Sequence, residues 1–137
     1  MRRALAGAAL SAALAVLLAG CFDVQSADLF LLTRTGQGAT LTLLINDGGT
    51  IRCDGGKAKP VSNSTLITAR DLSDNLATDA QDKLTIPNAP GSVYYYRIRL
   101  EQGTISFPDK ASATRNVLAQ AELFAAKAAQ QDCGLSG

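Results

Sequence analysis

The fold is decided by the stretch Ala39-Thr40-Leu41-Thr42-Leu43-Leu44-Ile45-Asn46-Asp47-Gly48-Gly49-Thr50-Ile51-Arg52-Cys53. Residues 39–46 and 50–53 are rich in Leu, Ile and Thr, the side chains that suit a pleated, half-buried surface. Between them stands Asp47-Gly48, a strong hairpin signal because both residues tolerate the positive φ that tight turns require. Working outward, Asp28 to Thr35 reads as a further strand, joined through Gly36-Gln37-Gly38, so the first half of the chain is a three-strand meander.

Beyond Cys53, Asp54-Gly55-Gly56-Lys57 breaks the pattern and Pro60 extends the chain. Ser62, Asn63 or Ser64 then caps a helix. At 100° per residue Leu66, Ala69, Leu72, Leu76, Ala77, Ala80 and Leu84 fall within about 140° of arc, which makes a buried face. Asp71, Asn75, Thr78 and Asp82 gather opposite. Pro87, Asn88, Pro90 and Gly91 form a loop, and Val93 to Glu101 reads as a strand with Tyr94, Tyr96, Ile98 and Leu100 on one face. Tyr95, Arg97, Arg99 and Glu101 take the other. Gln102-Gly103 turns into Thr104 to Phe107, Pro108 stops that strand, and a last helix runs from about Thr114 to Asp132. The order β-β-β-α-β-β-α predicts an α+β fold: an antiparallel sheet of about five strands with two helices packed on one face.

The 137 residues leave room for one domain. Formal charge is +1, and without Arg2 and Arg3 the rest carries 11 basic against 12 acidic residues. That balance points away from nucleic acid as a partner. The chain has no His, which removes Ser-His-Asp and Cys-His catalysis and the usual zinc sites. No cofactor and no metal is expected.

Met1-Arg2-Arg3 is followed by an Ala/Leu run to Leu18 and then Ala19-Gly20-Cys21. A positive segment, an apolar segment and small residues at the cut are the order of a secretory signal. Leu18-Ala19-Gly20-Cys21 resembles the lipobox of bacterial lipoproteins. The resemblance implies cleavage before Cys21, acylation of its thiol, and anchoring on the extracytoplasmic side of a cell membrane. Each buried methylene contributes about 0.8 kcal/mol to such an anchor, so two or three chains hold firmly. On this reading residues 1–20 are the signal peptide, 21–27 a lipidated tether and 28–137 the single domain. The stretch 28–56 and the run Tyr94 to Gly103 resemble small secreted proteins of high-GC actinobacteria, a likeness that implies no activity.

Cys53 and Cys133 remain once Cys21 is acylated, and export brings them to an oxidising compartment, so a disulfide is expected between them. It fastens the last helix to the sheet. A redox pair is the alternative, but catalytic pairs are typically close in sequence.

Several motifs fall away on inspection. Asp54-Gly55-Gly56-Lys57 departs from a phosphate loop, which needs Gly at 51 and Ser or Thr at 58, where Ile51 and Ala58 stand. Asp71, Asp74 and Asp82 share a helical side without the tight loop that calcium sites use. Asn63-Ser64-Thr65 fits a glycosylation acceptor, which the resemblance to a bacterial lipobox makes a chance match. The feature with chemistry in it is Tyr95, Arg97 and Arg99 on the polar side of the fourth strand. If register turns Arg34 and Arg52 the same way, four guanidiniums surround an aromatic ring, a surface suited to carboxylates or phosphates. The expectation is therefore a non-catalytic binding module whose partners are the membrane, through its anchor, and an envelope protein or an anionic wall or lipid group. The alternative is a small envelope hydrolase or transferase with a site built from Asp, Ser, Lys and Tyr.

Overall fold

The computed structural model describes Val24 and residues 27–135. The leader 1–20 and Cys21 lie outside the described residues. Strands β1 (Asp28–Gly36), β2 (Ala39–Asn46), β3 (Thr50–Cys53) and β4 (Lys59–Pro60) precede helix α1 (Asn63–Gln81). Strands β5 (Tyr95–Leu100) and β6 (Gly103–Pro108), a 3-10 turn (Asp109–Ala113) and helix α2 (Asn116–Gln131) follow. They build a six-stranded sheet of order β4-β3-β2-β1-β5-β6 with every neighbouring pair antiparallel. The fold is α+β, with one strand more than the sequence suggests. The extra strand is β4, where Thr50 faces Pro60 and Ile51 faces Lys59. Two residues carry no readable periodicity, and proline, lacking an N–H, is tolerated only at such an edge.

Local chemistry sets the element ends. Ser62 caps α1, its hydroxyl accepting from Thr65 N at 3.1 Å. Arg70 on α1 grips the hairpin turn, donating to Asp47 Oδ1 at 2.6 Å and to Asp47 O at 3.0 Å. The fifth strand starts at Tyr95 rather than Val93 because Asp109 Oδ2 accepts from Val93 N and Tyr94 N at 3.1 and 3.3 Å. The last helix starts at Asn116 rather than Thr114, because Thr114 N closes the 3-10 turn on Ala111 O.

Parity along the strands divides the sheet into two faces. Phe30, Leu32, Leu41, Leu43, Ile45, Ile51, Tyr96, Ile98, Leu100, Ile105 and Phe107 all lie buried on one side. Ala69, Leu72, Leu76 and Ala80 of α1 and Leu118, Ala121, Phe124, Ala125 and Ala128 of α2 join them in one core. Phe30 meets Phe124 edge-on at 5.5 Å. Cys53 and Cys133 form a disulfide with Cα atoms 5.9 Å apart, tying the end of α2 to β3.

Both sheet edges are blunted. Residues 84–86 lie along β6, with Ile86 N donating to Ser106 O and Ser106 N to Leu84 O at 2.8 and 3.0 Å. At the other edge stands the short, proline-bearing β4. Strand addition is disfavoured at both edges, which leaves the sheet face that no described helix covers as the surface to consider.

Candidate functional site

The uncovered face is built by cross-strand register. Leu44 pairs with Arg52 and with Leu31, and Leu31 pairs with Arg99. Residues directly opposite in an antiparallel pair share a face, so Arg52, Leu44, Leu31 and Arg99 form one row across four strands. The next row holds Thr42, Thr33, Arg97 and Ser106, and Asp54 adjoins it, its N–H donating to Thr42 O at 2.9 Å. All of these except Ser106 line a trough of about 380 Å³. Its floor is Leu31, Leu44, Thr33 and Thr42. Arg52, Asp54 and Gly55 rise on one side, Arg97 and Arg99 on the other.

The charges on this face are unequal. Asp54 turns through positive φ (50°) and its Oδ1 accepts from Thr42 N at 2.8 Å. Arg52 Nη1 donates to Gly56 O at 3.2 Å, which turns its guanidinium toward the loop after β3. The guanidinium of exposed Arg97 makes no hydrogen bond or ion pair with another described residue. Three guanidiniums thus line the trough with one carboxylate that already accepts a backbone hydrogen bond, and Arg99 has a partner of its own.

Two of the residues picked from the sequence are not part of it. Arg34 pairs with Leu41 and Tyr96, both buried, so it lies on the helix side of the sheet. Its guanidinium carbon sits 4.6 Å from the centroid of the Tyr94 ring, a cation–π contact at the sheet margin. Tyr95 does share the open face, but its hydroxyl reaches away over the β6 edge to donate to Ile86 O at 3.2 Å. The expected four guanidiniums around an aromatic ring become three around two leucines. Leu31 and Leu44 were missed, although a signal exists: Leu29-Phe30-Leu31-Leu32 and Leu43-Leu44-Ile45 put apolar residues on both faces of their strands.

A second concentration of titratable groups lies under the Arg34 margin. Glu122 on α2 is raised above its usual carboxylate range by burial, opposed by a hydrogen bond from Ser112 and reinforced by the charge of Asp109. One oxygen of each carboxylate is buried without a hydrogen-bond partner. Tyr96 is pushed up to about 12, first by burial and then by the charge of Glu122, with Arg34 opposing. The two unpaired carboxylate oxygens are turned inward, where a charged carboxylate costs the fold stability rather than offering itself to a substrate.

The larger depression, about 620 Å³, runs between α1 and α2 over Leu72 and Phe124. Asp71 and Lys127 both line it, so it carries opposite charges and selects no sign of ligand. Among the described residues no group of three or more His, Cys, Asp or Glu is placed to hold a metal ion, and no helix is long and apolar enough to cross a membrane. The chain matches no family model, no curated protein and no solved structure.

Proposed function

We propose that the chain is a non-catalytic binding module of the cell envelope, held at the extracytoplasmic side of a membrane by lipid on Cys21, and that the open sheet face captures an anionic partner group. The observation that carries this reading is the trough itself, where Arg52, Arg97 and Arg99 surround a leucine floor on the sheet face opposite α1 and α2. A guanidinium offers a rigid fork that pairs with carboxylate or phosphate in two parallel hydrogen bonds. The lipobox-like Leu18-Ala19-Gly20-Cys21 supplies the address. Hydrolase or transferase chemistry gains no support from Asp109, Ser112 and Glu122, whose unpaired carboxylate oxygens face inward.

The test is crosslinking pull-down from the membrane fraction with wild-type chain and with Arg97→Glu/Arg99→Glu. Both side chains lie on the sheet face away from α1 and α2, so the double variant is expected to fold, and its thermal midpoint checks that. Recurrent envelope partners are expected for the wild type and are lost on charge reversal. An unchanged set of partners would sink the sheet-face reading.

A further inference from the structure

We infer that the trough holds one amphipathic phosphate: a phosphate group gripped by Arg97 and Arg99, with an apolar body lying across Leu31 and Leu44 toward Arg52. The inference rests on the reading that the open face is the working surface, and it names the ligand that this face would take.

Three features of the trough point that way. Arg97 and Arg99 stand two residues apart on β5, so they share a face with Cα atoms about 7 Å apart. Two forks at that spacing can both reach one phosphate, Arg99 sharing its five donors with the partner it already has. A carboxylate is matched by a single bidentate arginine, whereas a phosphate, with three oxygens and about −1.5 to −2 charges near neutrality, can occupy two. Beside that grip the floor turns apolar: Leu31 and Leu44 face each other across β1 and β2 and are half-buried on the face away from α1 and α2. Arg52 closes the row on β3, about 14 Å from Arg99 across three strand spacings. Charge and apolar surface are thus arranged along one line rather than scattered.

Size and shape favour a single small molecule over a macromolecular surface. The trough measures about 380 Å³, within the range of about 300 to 1,000 Å³ usual for small-molecule sites. Its floor is sunk between the wall formed by Arg52, Asp54 and Gly55 and the wall formed by Arg97 and Arg99. A flat bilayer surface would touch the arginines and leave the leucines unused.

The experiment titrates the full chain carrying Cys21→Ser, so that no acyl chain of its own competes. Dodecyl phosphate below its micellar concentration is followed by calorimetry and by amide chemical shifts. Inorganic phosphate, dodecyl maltoside, and vesicles of phosphatidylglycerol or phosphatidylcholine are run beside it. Dodecyl phosphate is expected to bind with shifts centred on Leu31, Leu44, Arg97 and Arg99. Binding weakens about tenfold or more in Arg97→Gln/Arg99→Gln, since hydrogen bonds to charged groups are lost. It weakens about fivefold in Leu44→Thr, which removes apolar contact while keeping a strand-favouring residue. Inorganic phosphate at equal affinity would overturn the inference, because the leucines would then contribute nothing. Dodecyl maltoside at equal affinity would overturn it too, as would vesicle binding without binding of the monomer, or no binding at all. Should dodecyl phosphate fail while Arg97→Glu/Arg99→Glu still abolishes envelope capture, the ligand class falls and the binding-face reading stands. If both fail, both fall.

Discussion

Glu122 is a residue the fold tolerates at a cost near neutral pH. Burial raises its pKa first, Ser112 opposes through a hydrogen bond, and Asp109 adds repulsion. A raised folded value means that the native state holds the proton more tightly than the unfolded chain does. Its contribution to stability is therefore full below the ordinary carboxylate range and lost as pH rises through the folded value. Replacing it with an uncharged isostere is expected to help at pH 7 and not at pH 4. Urea midpoints of Glu122→Gln should exceed wild type at pH 7 and converge with it at pH 4, and equal differences at both would refute the account. Tyr96 runs the same logic in alkali. Its pKa is pushed up to about 12 by burial and then by Glu122, against Arg34. The stability linked to its proton is full below about 10, the ordinary tyrosine value, and is lost as pH rises toward 12. Absorbance at 295 nm should show a late tyrosinate step that disappears in Tyr96→Phe and moves to lower pH in Glu122→Gln. An unmoved step in the second variant would separate the two groups.

At the scale of elements, the disulfide is a covalent fastening that closes 80 residues between β3 and the end of α2. Chain entropy alone assigns about 4.5 kcal/mol to a loop of that length. Cys53→Ala/Cys133→Ala should lower the unfolding free energy by an amount of that order in urea, and a loss under about 1 kcal/mol would mean that the unfolded chain gains little freedom. Packing between elements is tightest where the β5–β6 turn meets the end of α1. A Cβ on Gly103 would stand 2.1 Å from Ala80 O, a backbone atom that cannot swing aside. Gly103→Ala is therefore expected to cost about 3 kcal/mol, read as a drop in thermal midpoint. The meander and both helices were legible because their signals are local: Asp47-Gly48 at the turn, the capping run Ser62-Asn63-Ser64, of which Ser62 is the cap, and apolar spacing along α1 and α2. The start of β5 was not, since it is set by Asp109, which lies 15 and 16 residues beyond the two N–H groups it binds. Nor was the placing of Arg34. Consecutive apolar residues 29–32 leave β1 without a readable inner face, and only pairing with β2 and β5 decides which way residue 34 turns.

On the scale of the whole molecule, the arrangement brings a charged trough close to the proposed anchor. β1 starts at Asp28, and Leu31 in the arginine–leucine row lies three positions along it. The six residues 22–27 span at most about 20 Å when extended, so a lipid on Cys21 would keep the trough within a short reach of the membrane surface. An anchored module meets its ligand at high effective concentration when the tether spans the gap, and modest affinity in the trough then suffices. This economy depends on processing at Cys21, which intact mass can read directly. Expressed in a bacterial host, the wild-type chain should lose residues 1–20, gain the mass of its acyl chains, and gain about 2 Da on reduction as the Cys53–Cys133 bond opens. Cys21→Ser should abolish the acyl mass and leave residues 1–20 uncleaved, with the 2 Da step still in place. An unacylated wild-type product would remove the anchor and with it the argument for proximity. The trough would then have to hold its ligand on affinity alone, and the calorimetric titration would be the measure of whether it does.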